Sequence, residues 1–167
     1  MSEDIKLQYG KCDVYVDGEK AVDLIGEACT FTATPQYEDI DLYEIPNYDK
    51  SLEGWEVTFS LVLEDYAKEK LELGMPMLSN QLGALVDGRL GQRARDKAVE
   101  LRIRPRGADI TDTQDDLVIY KAFPVSPFEK TYGKEKSTWT IEFEALSKTA
   151  DPSQAGNYFS IGEELQL

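Results

Sequence analysis

The stretch Trp55-Glu56-Val57-Thr58-Phe59-Ser60-Leu61-Val62-Leu63 decides the fold class. Trp55, Val57, Phe59, Leu61 and Leu63 fall on one side of an extended backbone. Glu56, Thr58, Ser60 and Val62 fall on the other. A strand turns successive side chains to opposite faces, so period two over this length predicts a half-buried β-strand. A second such strand is predicted at 137–146, with Trp139, Ile141, Phe143 and Ala145 inward and Thr138, Thr140, Glu142 and Glu144 outward. Both outward faces are polar yet β-prone, which suits a sheet wetted on one side.

Working outward, the pattern changes at Glu64. Residues 64–73 are strong helix formers with Tyr66, Lys70 and Leu73 along one side, and Gly74 and Pro76 stop them. Towards the N-terminus, Cys12, Val14 and Val16 alternate with Asp13, Tyr15 and Asp17, and Asp17-Gly18 is a turn signal. The segment 12–25 is therefore a predicted hairpin. Residues 28–34 are β-branched and aromatic, with Pro35 ending the strand or marking an edge. Residues 40–45 are a short strand or extended loop, and Pro46-Asn47-Tyr48-Asp49-Lys50 has turn chemistry.

Residues 74–97 hold four glycines and little periodicity, predicting a long loop with a helical turn near 80–86. Strands follow at 98–104, with Val99, Leu101 and Ile103 inward, and at 117–125. An acidic turn region at 109–116 separates them. The tail from Ala150 is loop-like, with a short strand at 157–161. The sum is a mainly β protein, a sandwich or barrel of about seven to eight strands with one flanking helix.

The 167 residues suit one domain, and the 41% apolar content is too high for a disordered chain. All six arginines lie between Arg89 and Arg106; with Lys97, Asp96 and Glu100 that window carries +5. The whole chain carries −14, so the remainder carries −19. Two surfaces of opposite sign repel themselves and attract each other, which favours contact between copies. The acidic counterpart is 37–72, including Glu44 and Asp49. A pI near 4.4 argues against tight duplex binding, and the arginine window has no aromatic residue to stack bases.

No apolar run is long enough to span a bilayer. The acidic start Met1-Ser2-Glu3-Asp4 is the reverse of a secretory signal, predicting a reducing cytoplasm. In that setting Cys12 and Cys29 read as small buried thiols rather than a disulfide. The chain has no histidine, so triads and most transition-metal sites lack their usual member. Gly83-Ala84-Leu85-Val86-Asp87-Gly88-Arg89 lacks the lysine–hydroxyl ending of a phosphate loop. Asp109, Asp112, Asp115 and Asp116 crowd one segment but lack EF-hand spacing, and read as a solvated acidic turn. The expectation is a non-enzyme without cofactor or metal.

The opening Gly10-Lys11-Cys12-Asp13-Val14-Tyr15-Val16-Asp17-Gly18 resembles the N-terminal hairpin of phage major tail tube proteins. So does Thr30-Phe31-Thr32-Ala33-Thr34-Pro35. In that family a long loop follows, then a strand leading into a helix, matched here by 36–53 and by 55–73. The last strand reads like Ser137-Thr138-Trp139-Thr140-Ile141-Glu142-Phe143-Glu144-Ala145. The similarity covers about 10–148, leaving 149–167 as a C-terminal extension of one tail-tube-like domain 1–167. It leaves the arginine-rich loop 89–97 uncovered.

The resemblance implies hexameric rings that self-assemble and stack into a hollow phage or prophage tail tube. DNA passes through without specific binding, and tape-measure and terminator proteins are partners. It implies a place in the virion tail, assembled in the bacterial cytoplasm. An acidic lumen would repel phosphates and let a duplex slide. Glu56, Glu142 and Glu144 are the candidates for that wall. Glu44, Asp49, Arg89, Arg93 and Arg95 are the candidates for subunit contacts. Two other readings remain open: a tail terminator or baseplate ring of the same fold, and a β-sandwich binding module with Tyr37, Tyr43 and Tyr48 in one groove.

Overall fold

The computed structural model describes residues 12–20, 29–63, 68–105 and 114–162. The two strongest predicted strands pair with each other. They are β4 (Ile45–Leu63) and β9 (Trp139–Ala145), antiparallel, with Phe59 opposite Phe143, Leu61 opposite Ile141 and Leu63 opposite Trp139. Residues directly opposite in a ladder share a face, so these six form one apolar surface, and all six are buried.

The sheet extends from that centre. Its order is β2 (Glu19–Lys20), β1 (Cys12–Val16), β7 (Val99–Pro105), β8 (Leu117–Pro124), β9, β4 and β3 (Thr30–Leu42). A single apolar face stays wet unless something covers it. Here the sheet curls until the face meets itself, and Val14, Leu101, Ile103, Ile119 and Ala122 complete the core. The curl has a visible joint. The second half of β8 pairs with β9, while the first half pairs instead with β10 (Phe159–Ile161). Phe159 on β10 meets the edges of Phe31 (5.7 Å) and Trp55 (5.4 Å), closing the opening between the two halves.

The helix α1 (Lys68–Gly74) follows β4, and Leu71 and Leu73 pack on the core. Residues 64–67 of the predicted helix lie outside the described residues. Gly74 ends it against Trp139: an added Cβ would stand 2.3 Å from the Trp139 ring and 2.9 Å from Ile141. The indole N–H of Trp139 donates to the Pro127 carbonyl (3.3 Å), and Phe128 meets the ring edge-on at 5.0 Å. Trp139 thus ties the helix, the 127–128 turn and the sheet together.

Two expectations are corrected, and a third resolves to one of its alternatives. Of the two readings of Pro35 the edge holds: β3 runs on to Leu42, with Pro35 opposite Trp55. It is tolerated because β3 is the end strand of the described sheet, where one row of backbone groups lacks a ladder partner. The long loop at 36–53 is instead a continuous β3–β4 hairpin turning at Tyr43-Glu44. The helical turn near 80–86 is a two-strand hairpin, β5 (Ser79–Gln81) and β6 (Ala84–Val86), and a second, one-turn helix α2 (Ala94–Lys97) follows. The predicted return strand 20–25 lies outside the described residues beyond Lys20.

Gly74→Ala should lower stability by about 1–3 kcal/mol through overpacking against Trp139. Phe143→Ala should cost about 3–5 kcal/mol through a core cavity. Urea denaturation followed by tryptophan fluorescence checks both, and a Gly74→Ala midpoint equal to the parent's would count against the contact.

Candidate assembly surfaces

The outer face of β3, β4 and β9 is the mirror of the core. Alternation places Thr30, Thr32 and Thr34 beside Ser60, Thr58 and Glu56, each directly opposite in the ladder. Across the next ladder, Ser60 faces Glu142 and Thr58 faces Glu144. The structure therefore gathers Glu56, Glu142 and Glu144 onto one exposed, hydroxyl- and carboxylate-bearing face. This surface can hold water and repel anions, and it carries no cation on those positions.

The β3–β4 hairpin continues beyond the core as an arm. From Gln36 to Leu42 the backbone can reach about 20 Å at ~3.3 Å per residue. Tyr37, Ile40, Leu42, Tyr43, Ile45, Tyr48 and Leu52 on it are all exposed, Tyr43 at 94%. The turn chemistry at Pro46–Asn47 survives inside the strand. Asn47 adopts a left-handed backbone (φ 57°), and its N–H donates to an Asp41 carboxylate oxygen at 2.6 Å, where the register shifts. Lys50 pairs with Asp39 across the arm. At its base the Glu38 carboxyl, hydrogen-bonded to Glu53, raises the Glu53 pKa. Two carboxylates set this close favour an arriving cation. Glu44 sits in the tip turn (φ 69°) and Asp49 lies opposite Ile40.

The arginine cluster divides. Arg102 and Arg104 both bind Asp116, at 3.0 and 3.1 Å, and Asp116 is fully buried. This corrects the reading of Asp116 as part of a solvated turn: the carboxylate is interior and doubly ion-paired. Asp109 and Asp112, like Arg106, lie outside the described residues. Arg95 donates to the Lys148 carbonyl at 3.0 Å, so it serves partly to tie α2 to the segment after β9. Arg89 and Arg93 remain exposed on a small lobe, residues 77–93. That lobe is built, not loose. The Gln92 side-chain amide donates to the carbonyls of Met77 (3.3 Å) and Arg89 (2.9 Å), and Gly88 approaches Met77 too closely for any Cβ. Its tips display Leu82 and Leu90, 108% and 97% exposed, with Leu82 in a left-handed turn (φ 52°) beside Gly83.

Within one subunit, among the described residues, no ion pair joins Glu44 or Asp49 to Arg89, Arg93 or Arg95. The arm and the lobe are separate surfaces of opposite charge, each with exposed apolar groups. Sequence reasoning missed the apolar content of the arm. Ile40, Leu42 and Ile45 were visible, but only their exposure gives them meaning. Tyr37, Tyr43 and Tyr48 are spread along the arm. None lines the cleft of about 440 Å³ between Leu52–Trp55 and the segment 152–159.

No family model matches the sequence, and no curated protein matches it. Solved structures do share the fold. The tube-terminating cap of the anti-feeding prophage is 14% identical, with a TM-score of 0.52 over 86% of this chain and 91% of that one. A sheath/tube terminator chain of an extracellular contractile injection system, PVC, is 14% identical with a TM-score of 0.53, over 87% and 96%. A chain of the PVC sheath–tube complex is 14% identical with a TM-score of 0.54, over 86% and 89%. The chain has the fold seen in these components of phage-tail-like particles.

Asp116→Ala should destabilise the fold by about 2–4 kcal/mol, less than a fully buried triad because Arg102 is partly solvated. Arg89→Ala should change stability by no more than about 0.5 kcal/mol. Thermal denaturation of the two variants separates the structural arginine partners from the surface ones.

Proposed function

We propose that the chain is a non-enzymatic, ring-forming subunit of the tube of a tail-like particle, and that it occupies the end of that tube as a terminator or cap. The observation that carries this reading is the fold likeness, over more than four-fifths of the chain, to the anti-feeding prophage cap and the PVC terminator. The stacked tube subunit is the second reading, favoured by the likeness to a chain of the PVC sheath–tube complex.

The surfaces fit a ring. An arm bearing seven exposed large apolar side chains costs free energy while it stays wet, and a neighbouring copy can dry it. Its acids, Glu44 and Asp49 among them, find their complement in Arg89 and Arg93 on another copy's lobe, with Arg95 beside them. The wall of Glu56, Glu142 and Glu144 then faces the lumen. A negative, hydroxyl-rich wall repels a polyanion and gives it no cation to hold. Hexameric symmetry, a DNA cargo and a place in a virion tail follow from the same reading.

Electron microscopy of concentrated protein is expected to show closed rings that stay single or pair. Long tubes would move the assignment to the tube subunit. Monomers at every concentration, with no binding to preformed tube ends, would sink both. Changing Arg89, Arg93 and Arg95 to Glu should abolish rings and leave the circular dichroism spectrum unchanged. Adding Glu44→Arg and Asp49→Arg should restore them, and failure of that rescue in a folded protein would break the proposed pairing. Ring formation should also weaken as pH falls through the carboxylate range. Glu53, with its raised pKa, loses its charge before an ordinary glutamate and so withdraws first from any attraction to a guanidinium. Sedimentation across that range checks the sign.

A further inference from the structure

Cys12 and Cys29 enter the interior from opposite ends of the sheet. Cys12 lies on β1 two residues from buried Val14 and shares its face. Cys29 immediately precedes β3 and shares the face of Phe31 and Ala33. All of these pack against one core, and both cysteines are half-buried free thiols. In the sheet order, β1 stands next to one end and β3 forms the other, and no ladder joins them among the described residues. Each thiol is the first cause of the other's altered titration, which places the two side chains beside each other at the core face.

We propose that Cys12 and Cys29 are a latent disulfide site, a dithiol in reducing surroundings that becomes an intrachain bond on meeting a low-molecular-weight disulfide. Cys29 is the attacking group. The hydrogen bond from Cys12 holds its pKa down to about 7, whereas the partner thiol of Cys12 is pushed up, by that same bond first and by burial second. The Cys29 thiolate attacks one sulfur of the small disulfide, forming a mixed disulfide and expelling one small thiolate. Cys12 then gives its proton to solvent and attacks the Cys29 sulfur, expelling the second. Two cysteine thiols lose two electrons, and one small disulfide becomes two thiols. The product ties together strands that share no backbone ladder, and it closes the 12–29 loop in the unfolded chain, which restricts that state most. The proposal is independent of the tail-particle reading.

The test treats the full chain with oxidised glutathione, then denatures it in an alkylating agent and measures intact mass. The expected product has lost two hydrogens, takes up no alkyl label and contains no linked chains. Its melting temperature rises by about 5–10 °C, a shift reversed by dithiothreitol. The rise is absent in Cys12→Ala and in Cys29→Ala. Full labelling of both cysteines, a stable glutathione adduct on Cys29 with Cys12 still free, or a bond between chains would each overturn the proposal. Should the alanine variants fail to fold, phenylarsine oxide keeps the question open to measurement. The reduced wild-type chain is expected to bind one equivalent and lose both reactive thiols, and no capture counts against the site.

Discussion

Everything in this structure depends on one sheet having to dry its own apolar face. The pairs Phe59–Phe143 and Leu61–Ile141 create a surface too apolar to leave in water, and only two short helices are present to help cover it among the described residues. Curling is the remaining solution. It explains why β8 divides its pairing between β9 and β10, and why Phe159 stands between Phe31 and Trp55. It also explains Gly74, since the helix end is pressed onto Trp139 more closely than a methyl group permits. The same alternation that fills the core leaves the opposite face mostly polar, Val62 apart, and so produces the carboxylate and hydroxyl surface.

The electrostatics follow from burial in the same way. Six arginines lie together in sequence, yet the fold gives them different tasks. Asp116 cannot remain ionised in the interior without compensation, and Arg102 and Arg104 supply it from the strand alongside. Arg89 and Arg93 lie on a lobe whose backbone is held by Gln92, so their charges are presented from a fixed platform. A fixed platform loses less entropy on contact than a loose loop does.

The strands at 55–63 and 137–146 were legible because period two reports burial on one side, and these segments are buried on one side. The arm was not legible for the same reason. Tyr37 to Leu52 is extended but faces no core on either side within the subunit, so its sequence carries no alternation to read. Parity alone offers the face of Glu56 and that of Glu142 and Glu144 as alternatives, and the ladder register joins them into one. The partner of Arg102 and Arg104 was hidden, because an ion pair depends on which strands become neighbours. The hairpin at 79–86 left a trace in Leu82-Gly83, but a turn of two residues between strands of three is too short to outweigh the surrounding glycines.

The strand order has a consequence in time. Val14 pairs with Ile103, so β1 has no place to dock until β7 has been synthesised. A chain emerging from a ribosome must therefore carry an unpaired N-terminal hairpin and a finished, sticky arm through most of its translation. Pairings so distant in sequence form slowly, and exposed strand edges invite neighbouring nascent chains to join them.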